Sequence, residues 1–221
     1  MRNLRVGIVV VLSMLWAGAV WAAQVAAVPQ TGQVLCYDEN SGVIICGAKL
    51  KGQDGELQKG FNLPTPRFTD NGDGTIGDNL TGLIWLKNAD CVRLDLNWQN
   101  ALDFVSNLNL GHITDPAIPL DCGDTSGRRG KHQTDWRLPN IREMLSLIDF
   151  AFFSPAISNA AGTERATLGD PFTDLQQTVY WTSTTSAGAT DQAWVVDVTD
   201  GMIKFVSKNV LHPVIAVRGV R

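Results

Sequence analysis

Residues 135–149 constrain the fold of this chain more than any other stretch, because they predict a capped helix with one apolar face. Pro139 disfavours the helical conformation in the residue before it, and Asn140 can accept hydrogen bonds as the N-cap. Glu143, three residues further on, completes the pattern of a capping box. Apolar residues then recur at helical spacing, at Ile141, Met144, Leu145 and Ile148. The sequence therefore predicts a helix docked on a core, with Trp136 as a core anchor just before it.

The same stretch reads DWRLPNIREMLSLID and resembles the signature of the Lcl C-terminal domain family. Four further motifs resemble the family and occur in the same order as in its members. They are RFTDNGDGT at 67–75, DNLTGLIWL at 78–86, YWTST at 180–184 and VRGVR at 217–221. The resemblance covers roughly residues 61 to 221. It implies a fold similar to that of C-type lectins and formylglycine-generating enzymes, and a role in extracellular adhesion or glycan binding.

Residues 1–22 are predicted to be a secretory signal peptide. Arg2 and Arg5 form a basic start, an apolar run follows from Val6 to Val20, and small residues offer cleavage positions after Ala22 or Ala23. A cysteine is absent from the cleavage point, which argues against a lipoprotein anchor, and no later run is apolar for long enough to span a bilayer. We therefore expect an exported protein that is periplasmic, on the cell surface or secreted.

Charge and composition limit the partners and the number of domains. Lys and Arg number 18 against 22 Asp and Glu, and loss of the basic leader makes the balance more acidic, so we expect no nucleic acid as partner. The hydrophobic fraction of 44% is typical of a globular chain. The simplest organisation is an N-terminal extension over residues 23–60 and one main domain over residues 61–221.

Four cysteines in an exported chain predict two disulfides. Three connectivities exist, and we favour Cys36–Cys46, which closes a hairpin in the extension, together with Cys91–Cys122. A metal site is the alternative, but the chain lacks a C-x-x-C pair and its three histidines are dispersed. We predict no metal and no cofactor.

The acidic run at residues 70–78 admits two interpretations. Its aspartates and glycines are similar to those of a calcium-binding loop, but Gly72 stands at the third position and no glutamate stands at the twelfth position of an EF-hand template. A polar turn between two strands is therefore the favoured interpretation.

The remaining elements alternate between helix, loop and strand. A first helix is predicted at Asn97 to Leu108, a long ordered loop at 150–177, strands at 179–183, 192–198 and 202–207, and a tight turn at 199–201. The last segment, His212 to Arg221, is predicted to be a strand with Ile215 and Val217 facing inward and Arg218 on the more exposed face. The predicted fold class is α+β, a C-type-lectin-like domain with two helices, a mostly antiparallel sheet, long irregular loops and disulfides.

The loop at residues 111–134 is the first candidate binding region, because long irregular insertions in compact domains are often functional. It carries a basic run, formed by Arg128, Arg129, Lys131 and His132. A solvated charge cluster is the simpler interpretation of this run, and an interaction loop is the alternative.

Tryptophans supply the second candidate, because aromatic rings suit the apolar faces of sugars. Five remain after removal of the leader: Trp85, Trp98, Trp136, Trp181 and Trp194. Core packing explains most of them, and Trp181 and Trp194 are the two predicted to be partly exposed.

The sequence contains no nucleophile elbow, zinc-protease, phosphate-loop or dinucleotide motif, so we predict no enzyme. The carboxylate motifs of calcium-dependent lectins are also absent. The favoured function is a binding or adhesion module that recognises a surface glycan or protein without catalysis. A structural or assembly component of the cell envelope, and a relative of the formylglycine-generating enzymes, are the alternatives.

Overall fold

The computed structural model describes residues 28–48, 50–110, 122–124 and 133–219 of the chain. The predicted signal peptide lies outside the described residues. Among the helices that are described, none combines the length and the apolar character needed to cross a membrane.

The N-terminal extension folds into a small hairpin. Its strands β1 (Cys36–Tyr37) and β2 (Val43–Ile44) pair antiparallel, and a disulfide joins Cys36 to Cys46. The turn is stable because Asp38 Oδ1 accepts a hydrogen bond from the backbone N–H of Gly42 at 2.7 Å. The predicted disulfide-closed hairpin is confirmed.

A four-stranded antiparallel sheet begins the main domain. Its strands, in spatial order, are β3 (Phe68–Asp70), β4 (Thr75–Asp78), β5 (Ile84–Leu86) and β9 (Val217–Arg218). Trp85 in β5 lies between Ile76 and Val217 of the neighbouring strands and is fully buried. The acidic run forms the β3–β4 hairpin, as the favoured interpretation predicts.

The second sheet has three antiparallel strands. They are β6 (Val179–Ser186), β7 (Ala189–Asp197) and β8 (Ile203–Ser207), and the predicted turn at 199–201 joins the last two. Both faces of this sheet are covered: Trp181 and Val195 pack into one hydrophobic cluster, whereas Tyr180 and Val196 pack into the other. The alternation of side chains along each strand therefore divides the core into two halves.

Three helices complete the described elements: α1 (Asp54–Leu57), α2 (Trp98–Leu110) and α3 (Ile141–Leu145). The predicted capping box is present, because Asn140 Oδ1 accepts from the Glu143 N–H at 3.0 Å and Glu143 Oε2 accepts from the Asn140 N–H at 2.8 Å. The helix α3 is shorter than the apolar spacing predicts. By Asp149 the chain has left it, since that N–H donates to Ala156 O at 2.9 Å rather than to a helical carbonyl.

The last strand corrects one prediction. Arg218 is only 2% exposed, so its face is not the more exposed one. The strand β9 pairs with β5 along one edge, and along the other edge Arg137 and Val217 exchange two backbone hydrogen bonds of 2.9 Å, which leaves neither edge open. The Arg218 guanidinium lies 5.4 Å from the centre of the Trp136 ring and 4.0 Å from Asp135 Oδ1.

The architecture is α+β with mostly antiparallel sheets, few helices and two disulfides, as predicted. The segment between α3 and β6 carries no helix or strand, which agrees with the long ordered loop predicted there. The one unexpected element is α1, a single helical turn in the extension.

Candidate functional site

The basic run of the predicted interaction loop, Arg128, Arg129, Lys131 and His132, lies outside the described residues. Its role as a binding surface therefore stays a prediction. Cys122 is described, and it is bonded to Cys91 as predicted.

Trp181 is fully buried, so the prediction that it is partly exposed is wrong. Its indole Nε1 donates a hydrogen bond to Leu96 O at 2.7 Å, and its ring meets the His212 ring edge to face at 5.1 Å. Burial follows from the position of Trp181 in β6, where α2 packs on one face of the sheet, and α3 and the loop after it pack on the other. Trp181 is a core residue.

Trp194 is half-buried, as predicted. Its ring packs edge to face on the exposed ring of Phe205 in β8, with the two centres 5.2 Å apart. Trp181 pairs with Val195, the neighbour of Trp194 in β7, so the two tryptophans point to opposite faces of the sheet. They do not form a common aromatic platform.

The described residues instead contain a cavity between the extension and the loop after α3. Its volume is about 390 Å³, which lies within the range of small-ligand sites. The extension contributes Gln30, Gly32, Gln33, Val34, Leu35 and Tyr37, the linking segment contributes Asn62 and Leu63, and the loop contributes Asp149, Phe150, Ala151, Phe152, Gly162 and Thr163. We call this space the extension cavity.

Hydrogen bonds and one close contact hold the two walls of the extension cavity together. The Phe150 N–H donates to Thr31 O at 2.8 Å, and Gln33 Nε2 donates to Phe150 O at 3.3 Å. Gly32 lies against Asp149 so closely that a Cβ on residue 32 would stand 1.9 Å from the carboxylate oxygen Oδ1. The wall is therefore built for glycine at this position.

Asp149 is the charged group of the extension cavity and is only 6% exposed. Its Oδ1 accepts a hydrogen bond from the Ala151 N–H at 3.0 Å. Desolvation raises the pKa of this carboxyl above its ordinary value, while the Ala151 hydrogen bond and the charge of Arg67 oppose the rise.

Arg67 cannot neutralise Asp149 fully, because it is already paired with Asp78. Both of its terminal nitrogens contact the Asp78 carboxylate, and one also donates to Ser146 O at 2.6 Å. Arg67 is 3% exposed and Asp78 is 1% exposed. This part of the interior therefore holds two carboxylates for one cation.

The polar lining of the extension cavity is oriented by its own hydrogen bonds. Gln30 Nε2 donates to Gln58 O at 2.6 Å, and Gln33 Nε2 donates to Phe150 O. Because both partners are carbonyl oxygens, each glutamine must present nitrogen to them and keeps its side-chain oxygen for other partners. Tyr37 and Phe150 add exposed aromatic rings beside these groups.

Metal-binding groups do not assemble in the part of the chain that the structure describes. Groups of three or more side chains that could hold a metal ion are absent there, and all four cysteines form disulfides. Burial lowers the pKa of His212, whose Nε2 is enclosed without a hydrogen-bond partner.

Sequence reasoning did not find the extension cavity, because its two walls are more than a hundred residues apart in the chain. One local signal was available: Asp149 directly follows the last apolar residue of the stretch at residues 135–149. In the structure its carboxylate is buried. The partner wall could not be inferred from that signal.

Comparison with known families gives a match within the main domain. A search of curated proteins gives no match. The sequence profile of the Lcl C-terminal domain matches residues 74–219, which is more than half of the chain and includes both sheets' central strands, α2 and α3. The chain belongs to the Lcl C-terminal domain family.

Proposed function

We propose that this protein is an exported binding module that recognises a surface glycan or protein ligand without catalysis. The observation that carries the proposal is the extension cavity, a concave site that combines apolar walls, exposed rings and a few oriented polar groups. Sites of this composition are the usual places for small polar ligands in proteins.

Two further observations support the proposal. Both disulfides suit an oxidising compartment, which agrees with the predicted signal peptide. Pairing of all four cysteines also speaks against the cysteine chemistry of the formylglycine-generating enzymes.

The experiment is a glycan array probed with the mature protein and with two tryptophan variants. Asn62→Trp places a bulky ring at the exposed rim of the extension cavity, and Asn209→Trp places the same ring at an exposed position outside the cavity lining. We expect glycan hits that Asn62→Trp removes and Asn209→Trp retains. Hits that survive in both variants would assign binding to another surface.

An envelope assembly role is the second candidate, and an exposed apolar surface beside the extension cavity favours it. Its side chains are Phe150, Phe153, Met202, Ile203 and Phe205. The β7–β8 turn joins this surface to the cavity, because Gly201 lies against the Phe150 ring. Exposed apolar patches of this kind often mark protein interfaces.

This second role predicts a fixed protein partner that co-purifies with the mature protein. Replacing the two side chains on β8, with Ile203→Lys and Phe205→Lys, should release that partner. Asn62→Trp should leave the complex intact, because it changes the cavity rim and not the apolar surface.

A further inference from the structure

The extension cavity has a one-sided charge. Among the described residues that line it, Asp149 carries a negative charge and none carries a positive charge. The nearby cation, Arg67, is held by Asp78 and by Ser146 O. A buried carboxylate without its own cation is costly, and a positive group on a ligand would relieve that cost.

The two glutamine side chains of the extension cavity add hydrogen-bond acceptors to this negative charge. One N–H of each side-chain amide, in Gln30 and in Gln33, is used within the protein, which leaves both amide oxygens as acceptors and the second N–H of each as a donor. With the Asp149 carboxylate, the two amide oxygens favour a ligand that donates several hydrogen bonds. A sulfate or carboxylate group is negatively charged and would be repelled by the Asp149 carboxylate.

The rings at the extension cavity restrict the ligand further. Tyr37 and Phe150 are both exposed and can cover an apolar ring face or a cation. A sugar ring presents such a face together with several hydroxyl donors. A lysine side chain has one ammonium group on a flexible stem, and it would leave the remaining acceptors without partners.

From these observations we infer that the extension cavity binds the free amino group of an unacetylated hexosamine, with the ammonium group on the Asp149 carboxylate and the hydroxyl groups on the glutamine oxygens. This inference rests on the proposed function, because it names the ligand class of the same site. It makes the cavity selective against acidic sugars.

The first test is titration calorimetry of the mature protein near neutral pH with four soluble probes. Glucosamine is the cationic probe, glucose and N-acetylglucosamine are its neutral counterparts, and glucuronic acid is the anionic one. We expect glucosamine to bind at least about tenfold more tightly than the neutral sugars, as is typical of a charge-assisted hydrogen bond. Equal or tighter binding of a neutral or acidic probe would overturn the inference.

The second test changes charge at the cavity rim without touching its buried groups. Asn62 is exposed, so Asn62→Lys and Asn62→Asp should both fold. We expect Asn62→Lys to weaken glucosamine binding several-fold more than glucose binding, and Asn62→Asp to strengthen glucosamine binding relative to glucose binding. Equal responses of the two probes would contradict a cation site.

Failure of the inference and failure of the proposed function give different results. If neutral sugars bind as well as glucosamine and Asn62→Trp removes both, the cavity is a sugar site without charge selection. If Asn62→Trp leaves all probe binding intact, the cavity is not the site. Nα-acetyl-lysine methyl ester, which has one ammonium group, is the final probe, and binding as tight as that of glucosamine would overturn the assignment to a sugar.

Discussion

Gly32 lies directly against the carboxylate of Asp149. A Cβ on residue 32 would stand 1.9 Å from Oδ1 and 2.6 Å from Cγ, and the φ angle of Gly32 is +88°. Only glycine satisfies both the close approach and the left-handed backbone without strain. This contact seats the extension on the main domain and forms one wall of the extension cavity.

The replacement Gly32→Ala should therefore undock the extension. We expect a loss of about 1–3 kcal/mol in the free energy of docking, because the new methyl group must displace the Asp149 carboxylate. Hydrogen exchange measures this effect: the Phe150 N–H, which is bonded to Thr31 O, should exchange faster in the variant.

Gly52→Ala is the matched control for that replacement. Gly52 has the same φ angle of +88°, but a Cβ there would meet no atom within 4 Å. The effect of Gly52→Ala should be limited to backbone strain, and the Phe150 N–H should stay protected from hydrogen exchange. Equal loss of protection in both variants would show that the contact with Asp149 does not seat the extension.

The buried ion pair between Arg67 and Asp78 gives the second prediction. Arg67→Ala leaves the Asp78 carboxylate buried without its cation, and it also removes the hydrogen bond to Ser146 O. Loss of one partner from a buried pair typically costs about 3–5 kcal/mol, and we expect a loss of this size in the free energy of unfolding. Chemical denaturation followed by tryptophan fluorescence measures it.

The exposed pair of Lys87 and Asp70 provides the control. Its atoms lie 2.7 Å apart, but the two side chains are 30% and 49% exposed. Lys87→Ala should cost less than about 1 kcal/mol, since water replaces the lost partner. Similar losses in the two variants would contradict the difference in burial.

Asp149 gives a prediction for the dependence of stability on pH. Because desolvation raises its pKa in the folded protein above 3.8, the folded state binds more protons than the unfolded state between these two values. Stability from this group is therefore greatest below its ordinary pKa and falls as the pH rises through the folded pKa. The replacement Asp149→Asn removes this loss and can still accept from the Ala151 N–H.

We therefore expect Asp149→Asn to be more stable than the native protein at neutral pH, with a difference that shrinks as the pH falls towards the ordinary pKa of a carboxyl. Paired denaturation curves over that pH range measure the difference. A difference that stays constant with pH, or one that grows as the pH falls, would contradict the raised pKa.

Local sequence signals predict the local parts of this fold. The capping box at Asn140 and Glu143, the hairpin that ends in the Cys36–Cys46 disulfide, and the β7–β8 turn each depend on residues within about ten positions. Turn and cap geometries are set by the side chains that satisfy their own backbone groups, so a short stretch is sufficient to identify them.

Burial of Arg218 and Trp181 was not predicted, because burial depends on what packs on the second face of each strand. For Arg218 the cover includes Trp136, and for Trp181 it includes Leu96 and His212. The extension cavity has the same origin, since Gly32 and Asp149 meet only in the folded chain. Alternation along a strand cannot show such long-range contacts.

The two disulfides should stabilise different parts of the protein. Cys91–Cys122 spans 31 residues and ties the segment before α2 to the main core. Cys36–Cys46 spans 10 residues and closes only the hairpin of the extension. The chain-entropy model assigns roughly 4 kcal/mol to the longer loop and roughly 3 kcal/mol to the shorter one.

The location of each disulfide should affect the unfolding measurements more than this small difference in loop entropy does. In the paired replacement Cys91→Ser with Cys122→Ser, we expect the unfolding transition seen by tryptophan fluorescence to move to a lower denaturant concentration. In Cys36→Ser with Cys46→Ser the transition should hardly move, because all five described tryptophans lie in the main domain. Hydrogen exchange should then show the opposite order, with the Phe150 N–H losing protection mainly in the second variant. A fluorescence shift of equal size in both variants would mean that the hairpin and the main domain unfold as one unit.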